Sequence, residues 1–154
     1  MRVLIELGAG LPIVFPVHPR TRGRIDALGL KTSDADIRLI DPVGYVEFLA
    51  LQANAMFVIT DSGGVQEETT YLKVPCLTVR NNTERPITVS GGTNMLVGDD
   101  PKTLLLEARR ILAGRRKPGA APELWDGHAA HRIVDVILVG KSAAAARGVP
   151  NGAI

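Results

Sequence analysis

The feature of this sequence that most constrains its fold is a repeating order of short aliphatic runs, turns and segments of helical periodicity. The runs predict five β-strands, each too short and too uniformly apolar to belong to a half-solvated hairpin. They lie at residues 12–17, 37–40, 56–60, 75–79 and 94–97. The segments between them predict helices at 21–28, 45–53, 65–72 and 87–90. Such alternation is typical of β-α-β units and predicts an α/β fold with a doubly wound, mostly parallel sheet.

Two further helices are predicted after the last strand. Residues 101–113 have Asp100 placed as the N-cap and a proline at the first position. Residues 126–138 carry apolar side chains at helical spacing, which predicts that this helix docks on the sheet. An exposed connection is predicted between these two helices. We therefore expect one domain over residues 1–140, and a flexible, Ala-rich tail over residues 141–154.

Composition and charge exclude several classes of function. The 154 residues, 45% of them hydrophobic, suffice for one domain with a core. A net charge of +2 and an aromatic content of 4% argue against a nucleic-acid partner. Apolar runs are far shorter than the about 20 residues that cross a bilayer, so no membrane partner is expected. Cys76 is the only cysteine, which excludes an intrachain disulfide and a multi-cysteine zinc site and fits an intracellular location.

The segment most informative about function covers residues 58–68, VITDSGGVQEE. Here an apolar strand ends, Gly63 and Gly64 allow a tight turn, and a helix begins with free N–H groups, which together form an anion site. The Ser62 hydroxyl can add a donor. Glu68, one turn into the helix, can accept bonds from two ribose hydroxyls. The alternative is a simple helix cap after a glycine turn, and the segment alone leaves both interpretations open.

Three other groups of residues are weaker candidates. Residues 80–86, RNNTERP, follow a strand at the same edge, where an arginine can form two parallel bonds to a phosphate; the alternative is a solvated polar loop. His18, between prolines, can bind a phosphate or move a proton, or it can be a structural hydrogen-bonding residue. His128 and His131 lie three positions apart without a third ligand nearby, so we expect no metal.

Together these segments resemble a known enzyme family. PVHPRT at 16–21, TDSGGVQEE at 60–68, TERP at 83–86 and GTNMLVG at 92–98 have the order and spacing of the non-hydrolysing UDP-N-acetylglucosamine 2-epimerases. The resemblance covers about residues 10–113. It implies a glycosyltransferase-B-like enzyme made of two Rossmann-like halves, of which this chain is similar to the C-terminal, UDP-binding half. It implies no metal or redox cofactor.

The resemblance also implies roles for particular residues. In the family the Ser-Gly-Gly turn, here Ser62 to Gly64, holds the diphosphate, and the second glutamate of the block, here Glu68, holds the ribose. The other implied contacts are the substrate with Arg85, the uracil with Val43 and Phe48, and a second, regulatory nucleotide-sugar site of some members with His18. The catalytic carboxylates of the family lie in its N-terminal half, and its essential histidine lies in an HRREN motif at the hinge. Neither occurs in this sequence.

The leading hypothesis is therefore the UDP-sugar-binding half of an isomerase. The family eliminates UDP from UDP-N-acetylglucosamine (UDP-GlcNAc) to give a glycal, and adds UDP back on the opposite face. The expected ligands are UDP and a UDP-N-acetylhexosamine, the expected partner is the missing N-terminal half, and the expected location is the cytoplasm, where the family serves polysaccharide biosynthesis. The alternatives are a non-catalytic nucleotide-sugar-binding module, a half-enzyme with a separately encoded partner, and a remnant of a truncated reading frame without function.

Overall fold

Short parallel strands and helices alternate along the chain. The computed structural model describes residues 2–29 and 36–146. In chain order the elements are α1 (Arg2–Gly8), β1 (Ile13–Pro16), α2 (Pro19–Ala27), β2 (Ile37–Ile40), α3 (Tyr45–Ala53), β3 (Val58–Thr60), α4 (Gly63–Leu72), β4 (Cys76–Thr78), α5 (Pro86–Ser90), β5 (Asn94–Leu96), α6 (Pro101–Leu112) and α7 (Ala129–Ala146). The α/β class is confirmed, and each predicted strand is found to within two residues at either end.

The strands form two parallel sheets. In one, β1 pairs with β2, and Ile13 lies opposite Ile37. In the other, β4 lies between β3 and β5, and Cys76 lies opposite both Val58 and Asn94. Every pairing is parallel, as predicted, but no pairing among the described residues joins β1 to β3. The single sheet of the prediction is thus divided into sheets of two and three strands.

One hydrophobic core serves both sheets. Its buried members come from α1, β4, α6 and the residue that follows β5: Leu7, Leu77, Val97, Ala108 and Ile111. Ile13 on β1 and Ile59 on β3 pack against this cluster and are partly buried. The two sheets therefore share apolar contacts, although no strand described in one sheet is hydrogen-bonded to a strand of the other.

The last two helices pack differently. α6 begins where the Asp100 carboxylate accepts the N–H groups of Lys102 and Thr103, and it buries Ala108 and Ile111. α7 exposes every large apolar side chain described on it: Ile133, Val134, Val136, Ile137, Leu138 and Val139. The prediction that this helix docks on the sheet is wrong, because no element of the described chain covers the apolar face of α7.

The end of the chain departs from the expected boundary. α7 continues past residue 140 to Ala146. The flexible tail stays a prediction, and its residues 147–154 lie outside the described residues. None of the described helices, α7 included, is long and apolar enough to cross a membrane.

The connection between α6 and α7 is partly anchored, whereas the sequence predicts an exposed segment. The Lys117 ammonium donates to the backbone carbonyls of Val89 and, at 2.9 Å, of Asn94. Partial burial lowers the pKa of Lys117. Gly119 lies so close to Gly92 that a Cβ on Gly119 would come within 2.5 Å of the Gly92 carbonyl carbon. This part of the connection therefore packs over α5 and β5.

Candidate functional site

The turn between β3 and α4 presents an open helix N-terminus. α4 begins at Gly63, with Ser62 as an extended N-cap residue (φ −85°, ψ 129°) whose side chain makes no capping hydrogen bond. The first helical hydrogen bond of α4 is donated by the Gln66 N–H to the Ser62 carbonyl, at 3.3 Å. The N–H groups of residues 63–65 therefore point out of the helix end. Free N–H groups at a helix end are the geometry that an anion needs. The alternative interpretation, in which the Ser62 side chain caps the helix, is wrong because that side chain makes no capping hydrogen bond.

Gly63 and Gly64 have different surroundings. A Cβ on Gly63 would lie 3.0 Å from the Glu84 Oε1 atom, whereas a Cβ on Gly64 would meet only the Ser62 hydroxyl, at 3.9 Å. A side chain at position 63 would therefore require the Glu84 side chain of the 80–86 loop to shift. Gly64 leaves open space beside the free N–H groups, and the turn and the loop lie against each other at the carboxyl edge of the sheet.

Glu68 is held by a side chain that sequence analysis missed. Gln52, only 2% exposed on α3, donates from its Nε2 atom to Glu68 Oε2 at 2.6 Å. Phe48 precedes Gln52 by four positions, so both lie on one face of α3. The structure therefore brings Phe48 to the side of α3 that faces Glu68. A glutamine one helical turn after an aromatic residue was the only signal for this contact in the sequence.

The backbone of Arg85 is held on both sides by hydroxyl groups. The Thr83 hydroxyl accepts the Arg85 N–H at 3.0 Å, and the Thr88 hydroxyl donates to the Arg85 carbonyl at 2.7 Å. Two side chains without exposed surface, Gln66 and Asn94, join these hydroxyls. Thr83 donates to Gln66 Oε1 at 2.6 Å, while Asn94 Nδ2 donates to Thr88 and to Gln66 Oε1, both at 3.1 Å. The network fixes Arg85 relative to α4.

The Arg85 side chain lies among alternating charges. Its Nε atom is 3.0 Å from Glu67 Oε1, although the N–H is not aligned on the carboxylate. Arg80 pairs with Glu84 at 3.0 Å and, unlike Arg85, also donates a hydrogen bond, from its Nη1 atom to Glu84 Oε1 at 3.2 Å. The backbone N–H of Glu84 and the Arg80 side chain hold the pKa of Glu84 below its usual value. Because these pairs are partly solvated, each is weak, and an anionic ligand can compete with the carboxylates for both arginines.

The remaining candidates are not joined to this turn. His18 is the N-cap of α2, and its Nδ1 atom accepts the Arg20 N–H at 3.3 Å, which is the structural role that the sequence left open. Val43 lies before α3 and is 37% exposed. His128 and His131 have ring centroids 5.7 Å apart. In the part of the chain that the structure describes, no group of three or more ligand-type side chains could hold a metal ion.

Comparison with known proteins decides the family. The sequence matches the family profile described as UDP-N-acetylglucosamine 2-epimerase over residues 1–138. The chain belongs to this family. The UDP-N-acetylglucosamine 2-epimerase of Methanocaldococcus jannaschii is 46% identical over 132 residues, which are 84% of this chain and 36% of that protein. The UDP-2,3-diacetamido-2,3-dideoxy-D-glucuronate 2-epimerase of Pseudomonas aeruginosa is 40% identical over 126 residues, which are 82% of this chain and 34% of that protein.

A solved structure of the family has the same fold. The crystal structure of the M. jannaschii UDP-GlcNAc 2-epimerase in complex with UDP-GlcNAc and UDP matches with a TM-score of 0.73 and 42% identity. The match covers 88% of this chain and 38% of the solved chain. The expected half of a glycosyltransferase-B-like fold is thereby confirmed. The chain spans little more than a third of the length of the relatives that it matches.

Proposed function

We propose that this chain is the UDP-binding, C-terminal half of a UDP-N-acetylglucosamine 2-epimerase. The observation that carries the proposal is the open N-terminus of α4, which has Glu68 on the same helix and the Arg85 loop beside it. Glu68 lies five positions after Gly63 along the helix, a rise of about 7.5 Å. This separation suits a nucleoside diphosphate whose phosphates lie at the turn and whose ribose hydroxyls reach the carboxylate.

In this proposal the residues of the chain bind the nucleotide and stabilise its charge. The N–H groups of Gly63 and Gly64 and the Ser62 hydroxyl donate to the diphosphate. As the bond between the sugar C1 and the phosphate oxygen breaks, negative charge develops on the leaving UDP. The helix N-terminus is oriented to stabilise that charge without rearrangement, and Arg85 can add two parallel hydrogen bonds.

The nucleoside end of the ligand has its own contacts in the proposal. Glu68 accepts the ribose hydroxyls while Gln52 holds the carboxylate in place. Phe48 and Val43 flank the uracil, and His18 belongs to a second nucleotide-sugar site. A cytoplasmic location is part of this proposal because the family uses nucleotide sugars there.

Proton transfer at the sugar C2 atom is assigned to the part of the enzyme that this chain does not span. We expect no measurable conversion of UDP-GlcNAc to its manno epimer by the chain alone, since general acid and base groups contribute about 100- to 10,000-fold each. An epimerase assay on the purified chain checks this. Robust turnover would show that the catalytic residues are misassigned.

Calorimetric titration with UDP and with UDP-GlcNAc tests the binding proposal. Glu68→Gln should weaken both ligands by about 10- to 150-fold, because hydrogen bonds to a charged group contribute about 1.5 to 3 kcal/mol. Arg85→Lys should weaken UDP-GlcNAc at least as much as UDP, since lysine cannot reproduce a bidentate contact. Glu123→Gln, which removes an exposed carboxylate elsewhere, is the matched control and should leave both affinities unchanged.

Absence of UDP binding by the folded wild-type chain would contradict the proposal. Adding the separately expressed remainder of the enzyme to the same samples distinguishes the alternatives. A gain of epimerase activity supports a half-enzyme, whereas unchanged UDP-GlcNAc binding without activity supports a non-catalytic binding module.

A further inference from the structure

The order of the strands leaves one position unfilled. The two sheets have the orders β2-β1 and β3-β4-β5. A doubly wound dinucleotide-binding sheet has the order 3-2-1-4-5-6. If β1 to β5 correspond to strands 2 to 6 in that numbering, the pairing of β1 with β2 and the pairings of β4 with β3 and β5 are all accounted for. The central strand, between β1 and β3, is then the one missing from residues 2–29 and 36–146.

Both edges of this position carry backbone groups suited to pairing. On β1, the N–H groups of Ile13 and Val17 donate toward β2, so the intervening Val14 N–H points to the opposite edge. On β3, the N–H of Val58 donates toward β4, so the N–H of Ile59 points away from it. The Val14 and Ile59 N–H groups therefore face the unfilled position from its two sides.

The strands that flank this position carry apolar side chains that are not fully buried. Ile59 of β3 is partly buried. Val14 of β1 is 44% exposed. α1 lies directly before β1 and packs with Leu7 into the core that both sheets share. It therefore occupies the place of the crossover helix that connects a central strand with β1.

We propose that this position binds an extended apolar segment of about five residues, parallel to β1 and β3, from the part of the epimerase that this chain does not span. The segment is apolar because the comparable central strand, β4, buries all three of its residues. Its source is the remaining length of the family, because the chain spans only 36% of the M. jannaschii relative. The inference rests on the proposed half-enzyme and names the surface where its other part joins.

Amide hydrogen exchange tests this strand position directly. The isotope-labelled full chain is mixed with the separately expressed two thirds of the M. jannaschii relative that do not align with it. In the complex, the Val14 and Ile59 amides should exchange at least about tenfold more slowly than in the chain alone. The Leu39 amide is the matched control, because by the same alternation it faces the outer edge of β2, where no partner strand is expected.

Three results would overturn the proposal. Slow exchange of Val14 and Ile59 in the chain alone would show that its own residues fill the position. A complex that leaves both amides unprotected would place the contact elsewhere, and lack of any complex at about 100 µM would show that no such surface operates. The same sample is also titrated with UDP, and nucleotide binding is measured independently of amide exchange. If both amides are protected but UDP does not bind, the proposed ligand is contradicted and the proposed strand position is not.

Discussion

β4 and β1 are both short, apolar, parallel strands, yet they are buried to different extents. β4 has a neighbour on each side and buries Cys76, Leu77 and Thr78 completely or nearly so. Within residues 2–29 and 36–146, β1 pairs only with β2, and none of its four residues is fully buried. The comparison shows that an apolar run specifies a strand, whereas its burial depends on neighbours that lie far away in the sequence.

The largest expected effect is on folding stability. Leu77→Ala should lower the free energy of unfolding by about 2 to 5 kcal/mol, because it removes methyl groups from a buried site and leaves a cavity. Leu39→Ala on the half-buried strand β2 should cost about 1 kcal/mol. Urea unfolding followed by circular dichroism measures both. Equal losses would show that the two sheets are equally well packed.

The reactivity of the Cys76 thiol provides a chemical test of the burial of β4. Burial raises the pKa of this thiol, while contacts with Thr69 and Thr78 lower it to a smaller extent. The native chain should therefore react with iodoacetamide at least about 100-fold more slowly than the chain in urea, because the thiolate is the reactive form. Comparable rates would contradict the burial of this strand.

The same pKa shift predicts a pH dependence. The buried thiol keeps its proton in the folded state, so its contribution to stability is complete below the ordinary thiol pKa of about 8.5 and decreases as the pH rises above it. The loss should be smaller in Cys76→Ala, measured by urea unfolding at pH 7 and pH 10. If the free energy of unfolding depends on pH identically in the wild-type chain and in Cys76→Ala, the Cys76 thiol is not the cause of the dependence.

A smaller effect is expected from the polar network that joins β5 to the Arg85 loop. Thr83→Val removes the hydroxyl that accepts the Arg85 N–H, and it should weaken UDP-GlcNAc by about 2- to 10-fold. Thr83→Ser keeps that hydroxyl and should restore the affinity. Thr70→Val is the matched control, because the buried Thr70 hydroxyl has no partner in the described structure. Calorimetric titration gives all three affinities, and equal weakening by Thr83→Ser would exclude the hydroxyl as the cause.

The smallest effect is expected in α7. Ile137→Ala should change the free energy of unfolding by less than about 0.5 kcal/mol, because Ile137 is half-exposed at 51%. Ile111→Ala in α6, where the same residue type is 7% exposed, should cost about 2 to 5 kcal/mol. Urea unfolding of both variants checks this, and a large loss for Ile137→Ala would indicate that α7 is buried against a partner in solution.

Local signals in the sequence predicted every described element except α1, where no helix was predicted. The strands lie in short, mostly aliphatic runs, and α6 has its Asp100 cap and first-position proline as expected. The open N-terminus of α4 at Ser62 also follows from local residues, because the first N–H groups of a helix have no intrahelical partner and Ser62 does not cap them. These features required no knowledge of distant contacts.

Contacts between distant residues could not be predicted in the same way. Gln52 and Glu68 are 16 positions apart, and Gln66 and Asn94 are 28 positions apart, so no periodicity reveals that their side chains meet. The docking of α7 was predicted wrongly for a related reason. Helical spacing shows which residues share a face, but it does not show whether another element offers a surface to cover that face.

The close approach of Gly63 and Glu84 couples the turn before α4 to the 80–86 loop. A Cβ on residue 63 would lie 3.0 Å from Glu84 Oε1, so a larger residue at this position requires the Glu84 side chain to shift. Substitutions at positions 63 and 84 should therefore not act independently. If the turn holds the phosphates as proposed, we expect selection for a new sugar to vary the outer residues of the loop and to leave the turn unchanged.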